Sequence, residues 1–91
     1  MKTIYKYEAL IADKFTIKLN EGYEILTLKM QDLKPCLWVL VETNNPIIDV
    51  EFEYFGTGYK IGEQERKYIG TIMFYNDNLV YHLFETVKLK S

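Results

Sequence analysis

Ile47-Ile48-Asp49-Val50-Glu51-Phe52-Glu53-Tyr54-Phe55-Gly56 is the stretch on which the fold turns. From Ile48 to Tyr54, apolar and acidic residues alternate without a break. Period two places Ile48, Val50, Phe52 and Tyr54 on one face of a strand and Asp49, Glu51 and Glu53 on the other. Such a strand has one face in a core and one toward water.

Working outward, Gly56-Thr57-Gly58 breaks this strand, and a polar loop runs on through Arg66 and Lys67. Ile69 to Phe74 and Leu79 to Phe84 then flank Asn76-Asp77-Asn78, a hairpin signal because Asn and Asp tolerate the positive φ of tight turns. Upstream, Asn44-Asn45-Pro46 closes Cys36-Leu37-Trp38-Val39-Leu40-Val41, a run apolar on both faces that predicts a central strand covered on each side. Before it, Gln31-Asp32-Leu33-Lys34-Pro35 reads as a turn. Leu26, Leu28 and Met30 alternate with polar neighbours as a half-buried strand, and shorter strands are expected within residues 3–10 and 16–19, the latter ending at Asn20-Glu21-Gly22. A single helical turn fits only Glu63 to Arg66. Alanine, the best helix former, occurs only at Ala9 and Ala12. The expectation is an all-β, small antiparallel sandwich or barrel of about six or seven short strands, one domain over residues 1–91 with the tail after 85 frayed. Leu26, Leu28, Leu37, Val39, Val50, Phe52 and Ile72 are its expected core.

Several local signatures lie in order: Pro35-Cys36-Leu37-Trp38, Phe55-Gly56-Thr57-Gly58, Tyr68-Ile69-Gly70-Thr71 and Leu79-Val80-Tyr81-His82-Leu83-Phe84-Glu85. With Ile4-Tyr5-Lys6-Tyr7 and Gly22 to Leu26 upstream, nearly the whole chain resembles a family of small proteins encoded by bacteriophages and prophages. In that family a His usually follows the Gly-Thr-Gly; here the residue is Tyr59. The resemblance supplies no catalytic residues. It implies a short accessory protein of a virus, acting against host defences in the cytoplasm of an infected bacterium.

Composition narrows the chemistry. Eleven Lys and Arg against thirteen Asp and Glu leave a formal charge of −2, which disfavours a nucleic-acid binder that grips phosphate backbone. One cysteine, Cys36, and one histidine, His82, build neither a disulfide nor a zinc site. No cofactor is implied. The Met1 to Lys6 start lacks the apolar run of a signal peptide, and no stretch reaches membrane-span length; a reducing cytoplasm is the expected compartment.

His82, sharing a face with Val80 and Phe84, reads as a core histidine hydrogen-bonded locally, and Cys36 as a small buried hydrophobe. No pair of acid–base groups is recognisable, so no catalytic residue is assigned. Asp49, Glu51 and Glu53 read as a solvated outer face or a docking strip for a basic partner.

The remaining candidate site is Gly56, Thr57, Gly58, Tyr59 and Lys60 with Arg66, Lys67 and Tyr68. Glycines let backbone N–H groups converge on an anion, Lys60, Arg66 and Lys67 supply positive charge, and Tyr59 and Tyr68 offer faces to a base. Removing Arg66 or Lys67 should then cost affinity for a nucleotide-like anion but not thermal stability. The same residues also read as a bend leaving a strand.

Eight tyrosines in so short a chain exceed what a small core can satisfy, and Tyr is enriched in interfaces. A homo-oligomer is expected, since a domain of this size buries only about 60–65% of its unfolded surface. The sequence thus points to a non-enzymatic binding protein that blocks a host protein or sequesters a small nucleotide-like anion. The alternatives are an oligomeric structural or regulatory phage protein and, last, an enzyme.

Overall fold

The alternation of Ile47–Gly56 builds a ten-residue strand, β5, and its neighbours are dictated by the same period. In chain order the others are β1 (Lys2–Glu8), β2 (Lys14–Asn20), β3 (Glu24–Gln31), β4 (Lys34–Glu42), β6 (Arg66–Phe74) and β7 (Leu79–Thr86). The computed structural model describes residues 1–74 and 78–87. Every pairing is antiparallel. Two sheets result, a smaller one in the order β1-β4-β3 and a larger one in the order β2-β5-β7-β6. The molecule is 16 Å across its thinnest axis, the thickness of two sheets stacked about 10 Å apart. The expected all-β sandwich is therefore the fold, with seven strands and no helix among the described residues.

The core lies between the sheets. Leu37, Val39 and Val41 of β4 face Ile17 and Leu19 of β2, Val50, Phe52 and Tyr54 of β5, Ile72 of β6 and Leu83 of β7. Phe52 is fully buried, and Phe15, its cross-strand partner, stacks on it at 5.3 Å. The Tyr54 hydroxyl donates to the Ala9 carbonyl, and burial pushes its pKa up. At the opposite edge the Tyr23 hydroxyl donates to Glu85, joining the β2–β3 turn to β7; burial, then this carboxylate, raises the Tyr23 pKa.

Of the expected core, Leu37, Val39, Val50, Phe52 and Ile72 are buried, Leu28 is half-buried and Leu26 is 43% exposed. Leu26 is displaced by a bulge. The register of β3 on β4 slips between Ile25 and Thr27, so Leu26 is the extra residue and Ile25 takes the inward place instead. A second bulge interrupts β6 between Tyr68 and Gly70. Gly70 there meets β3: a Cβ on it would stand 3.4 Å from Leu28.

The β3–β4 turn has two residues, Asp32 and Leu33, with φ of 50° and 65°. This is the mirror-image turn that tight hairpins need. Residues 63 and 64 bend without forming the expected helical turn. Most of the Asn76-Asp77-Asn78 turn lies outside the described residues, as does the tail from 88 on. The last strand persists to Thr86, which is buried, and Val87 donates its N–H to Glu65.

The two outer faces differ. β5 and β6 run parallel with β7 between them, so residues 57–65 must travel back along the larger sheet. On its outer side Thr57 meets His82 and Arg66 grips the loop's carbonyls, while the Tyr59 ring lies against the inward side of Gly56. No described segment crosses the outer face of the smaller sheet.

Candidate functional site

On the outer face of the larger sheet, β5 contributes Glu53 and Phe55, β7 contributes His82, Phe84 and Thr86, and β6 contributes Arg66, Tyr68 and Thr71. Period two explains the set: each is two residues from the next along its strand, allowing for the β6 bulge.

At one end sits a buried ion pair. Arg66 Nε lies 3.1 Å from Glu53 Oε1 and Nη2 lies 3.4 Å from Oε2. Thr86 donates its hydroxyl to Glu53 Oε1 at 2.9 Å. Nη1 donates to the carbonyls of Gly62 and Gln64, each at 3.0 Å, and the guanidinium lies 5.0 Å from the Phe55 ring centre. Burial alone would raise the Glu53 carboxyl; the hydrogen bonds from Arg66 and Thr86 and the guanidinium charge outweigh it and hold the pKa below the usual carboxylate range. Glu53 is thus not part of a solvated acidic stripe, since it is only 4% exposed. Asp49 does stand in the open, paired with Lys18 at 2.8 Å.

In the middle, Phe84 packs edge-on against Phe55 and Tyr68, with ring centres at 5.8 and 5.5 Å. Beyond it runs a chain of hydroxyls through the imidazole. Thr57 Oγ1 is 2.8 Å from His82 Nε2, and Thr71 Oγ1 is 2.9 Å from Nδ1 and is also bonded to the Tyr68 hydroxyl. A threonine hydroxyl can donate or accept, so either neutral tautomer of His82 is satisfied. No carboxylate orients the ring, and both its nitrogens are engaged. His82 is a locally bonded histidine, on an outer face rather than in the core.

Gly56, Thr57, Gly58 and Tyr59 stay together. Gly56 ends β5, Gly58 has a φ of 89°, and the Tyr59 ring folds back so closely that a Cβ on Gly56 would stand 2.8 Å from it. Gly56, Thr57 and Tyr59 line an open groove of about 200 Å³ with Asn78, Leu79, Val80 and Tyr81. The N–H groups of Thr57 and Tyr59 donate to Val80 and Gly56 carbonyls, so two of the donors an anion nest would need are engaged. Tyr68 is joined to this loop through Thr71 and His82. Arg66 is not: it stands at the far end of β6 with its donors committed. Lys60 and Lys67 are exposed, Lys67 as the cross-strand neighbour of Glu85. Thr71 is not a candidate in the sequence, and Glu53 reads there only as part of the acidic stripe. Only the pairing of β6 with β7, and of β5 with β7, brings them to the site.

The fold and this face define a small two-sheet β-sandwich with one loop-strapped aromatic face and no cluster of three or more His, Cys, Asp or Glu side chains able to hold a metal among the described residues. The chain belongs to the family described as a domain of unknown function, DUF7352, whose family model matches residues 1–91. No curated protein and no solved structure matches it. No helix among the described residues is long and apolar enough to cross a membrane.

Proposed function

We propose that this chain is a non-enzymatic binding protein that acts by docking the aromatic outer face of its larger sheet on a protein surface. The observation that carries this reading is Tyr68, 56% exposed, tied through Thr71 and His82 to Thr57 and packed on Phe84 beside Phe55. Its hydroxyl is hydrogen-bonded, and Tyr presents a large contact area with little side-chain entropy to lose. Exposed Met73, two residues from Thr71 along β6, adds apolar area to the same side. The chemistry of the site favours binding over turnover, because the imidazole is held by two hydroxyls and bonds no carboxylate among the described residues.

The resemblance of the sequence to small phage and prophage proteins supports an infected bacterium as the setting, with a host defence protein as the partner to be blocked. A second reading, sequestration of a nucleotide-like anion, is favoured by Lys60 and Lys67, which form no ion pair among the described residues. It is weaker, because Arg66 is committed to Glu53.

The test is isolation of the tagged chain from bacteria, with identification of both co-eluting proteins and small molecules released on denaturation. A stoichiometric protein that is lost from the Tyr68→Ala variant supports docking. A released nucleotide, with no protein bound, would replace it by the anion reading.

A further inference from the structure

We propose that the outer face of the smaller sheet is a self-association surface, on which two copies of this chain meet face to face about a two-fold axis running along β4. The inference does not depend on the docking reading above, which uses the other sheet.

The first argument is the pattern of β4. Its sequence is apolar on both faces, as for a strand covered on each side. The chain covers only one: Leu37, Val39 and Val41 are buried, whereas Trp38 and Leu40 remain partly exposed. Around them stand Ile4, 55% exposed, and Leu26, 43% exposed. Ile4 is the cross-strand partner of Leu40, and the β3 bulge turns Leu26 toward the same side, opposite Trp38. Partly exposed Trp38 lies among these apolar side chains, bounded by Lys6, which reaches across β4 to Gln31, and by Glu8, Glu24 and Lys29, the anatomy of an interface core and rim.

The second argument is charge. The registers arrange this face in rows across β1, β4 and β3: Ile4–Leu40–Glu24, then Lys6–Trp38–Thr27, then Glu8–Cys36–Lys29. A two-fold axis along β4 lays β1 of one copy over β3 of the other and keeps each row in place. Glu8 then faces Lys29 of the second copy. Lys6 lies one row from its Glu24, within reach of two long side chains. Each contact occurs twice, so Lys6, Glu8, Glu24 and Lys29 each approach an opposite charge. Side chains of this length span the ~10 Å between stacked sheets. Within one copy these groups hold only exposed, exchangeable partners, Lys6 on Gln31 and Glu8 on Lys34. Such rim pairs set register and orientation more than affinity.

Three strands of about seven residues give a footprint of roughly 14 by 23 Å, at the small end for specific interfaces. A micromolar dimer is therefore expected.

Sedimentation velocity of the full chain from about 5 to 500 μM decides it. The expected result is a concentration-dependent monomer–dimer equilibrium. Ile4→Glu and Leu26→Glu alter exposed side chains, so each should weaken the dimer by roughly tenfold or more while leaving the urea midpoint in place. Glu8→Lys and Lys29→Glu should each weaken it, and the two together should restore it, because the swapped charges again face each other. A monomer across the whole range overturns the proposal. So does a dimer indifferent to Ile4→Glu and Leu26→Glu, which would place self-association on another surface. Failure of the double swap to restore association would overturn the axis along β4.

Discussion

Leu33 stands at φ 65° with 92% of its surface exposed, a residue the turn geometry penalises and the core does not reward. A left-handed backbone costs a non-glycine residue roughly 1–2 kcal/mol, part of which a glycine would return as extra freedom of the unfolded chain. Leu33→Gly should therefore stabilise the protein by about 0.5–1 kcal/mol, read as a raised urea midpoint at unchanged slope. Arg66 is the opposite case. Arg66→Ala would leave the Glu53 carboxylate buried without its countercharge, at a cost of about 3 kcal/mol, visible as a lower melting temperature. The expectation that Arg66 could be removed at no thermal cost fails for that reason. Because the Glu53 pKa is depressed on folding, the pair stabilises fully above the ordinary carboxylate value of 4.5 and is lost as pH falls below it toward the folded pKa. The wild-type midpoint should drop over that acid range, and the Arg66→Ala variant should lose much of that slope. None of this was legible along the chain. Arg66 and Glu53 are thirteen positions apart, and only strand pairing decides which acid of an evenly spaced stripe receives the cation.

Strands, by contrast, could be read almost directly. Each inward set repeats every second residue, so the alternation of β5 and the two-faced run of β4 announce both their place and their burial. Phe52→Ala should accordingly cost ~3–5 kcal/mol, measured by urea unfolding, since the ring is fully buried and stacked on Phe15. The reading failed at β3 because periodicity assumes an unbroken register. The bulge inserts one residue, and the parity of Leu26 changes while that of Leu28 and Met30 holds. The Gly56 to Tyr59 bend was equally plain, from its glycines, yet its partner His82 lies 25 residues away in sequence. What a loop touches across a sheet is set by strand order, which composition does not encode.

At the scale of the molecule, two layers share one core but expose unlike surfaces, one strapped by residues 57–65 and one bare. The strap exists because β7, the last strand, lies between β5 and β6 in the order β2-β5-β7-β6. Ordering by sequence would have placed β6 beside β5 and left β7 on the rim. The consequence concerns the chain's birth. As the polypeptide leaves the ribosome, β5 and β6 have no partner in common until β7 emerges, so the larger sheet cannot close before residues 79–86 are made. Its pairing is also dominated by distant segments, which makes for folding in milliseconds to seconds rather than microseconds. A chain ending at Phe74 should show no cooperative unfolding transition and should expose two unpaired edges to aggregation. The virtue of such an arrangement is that a nascent fragment short of β7 cannot masquerade as the folded sandwich: β7 is the strand that locks the sheet.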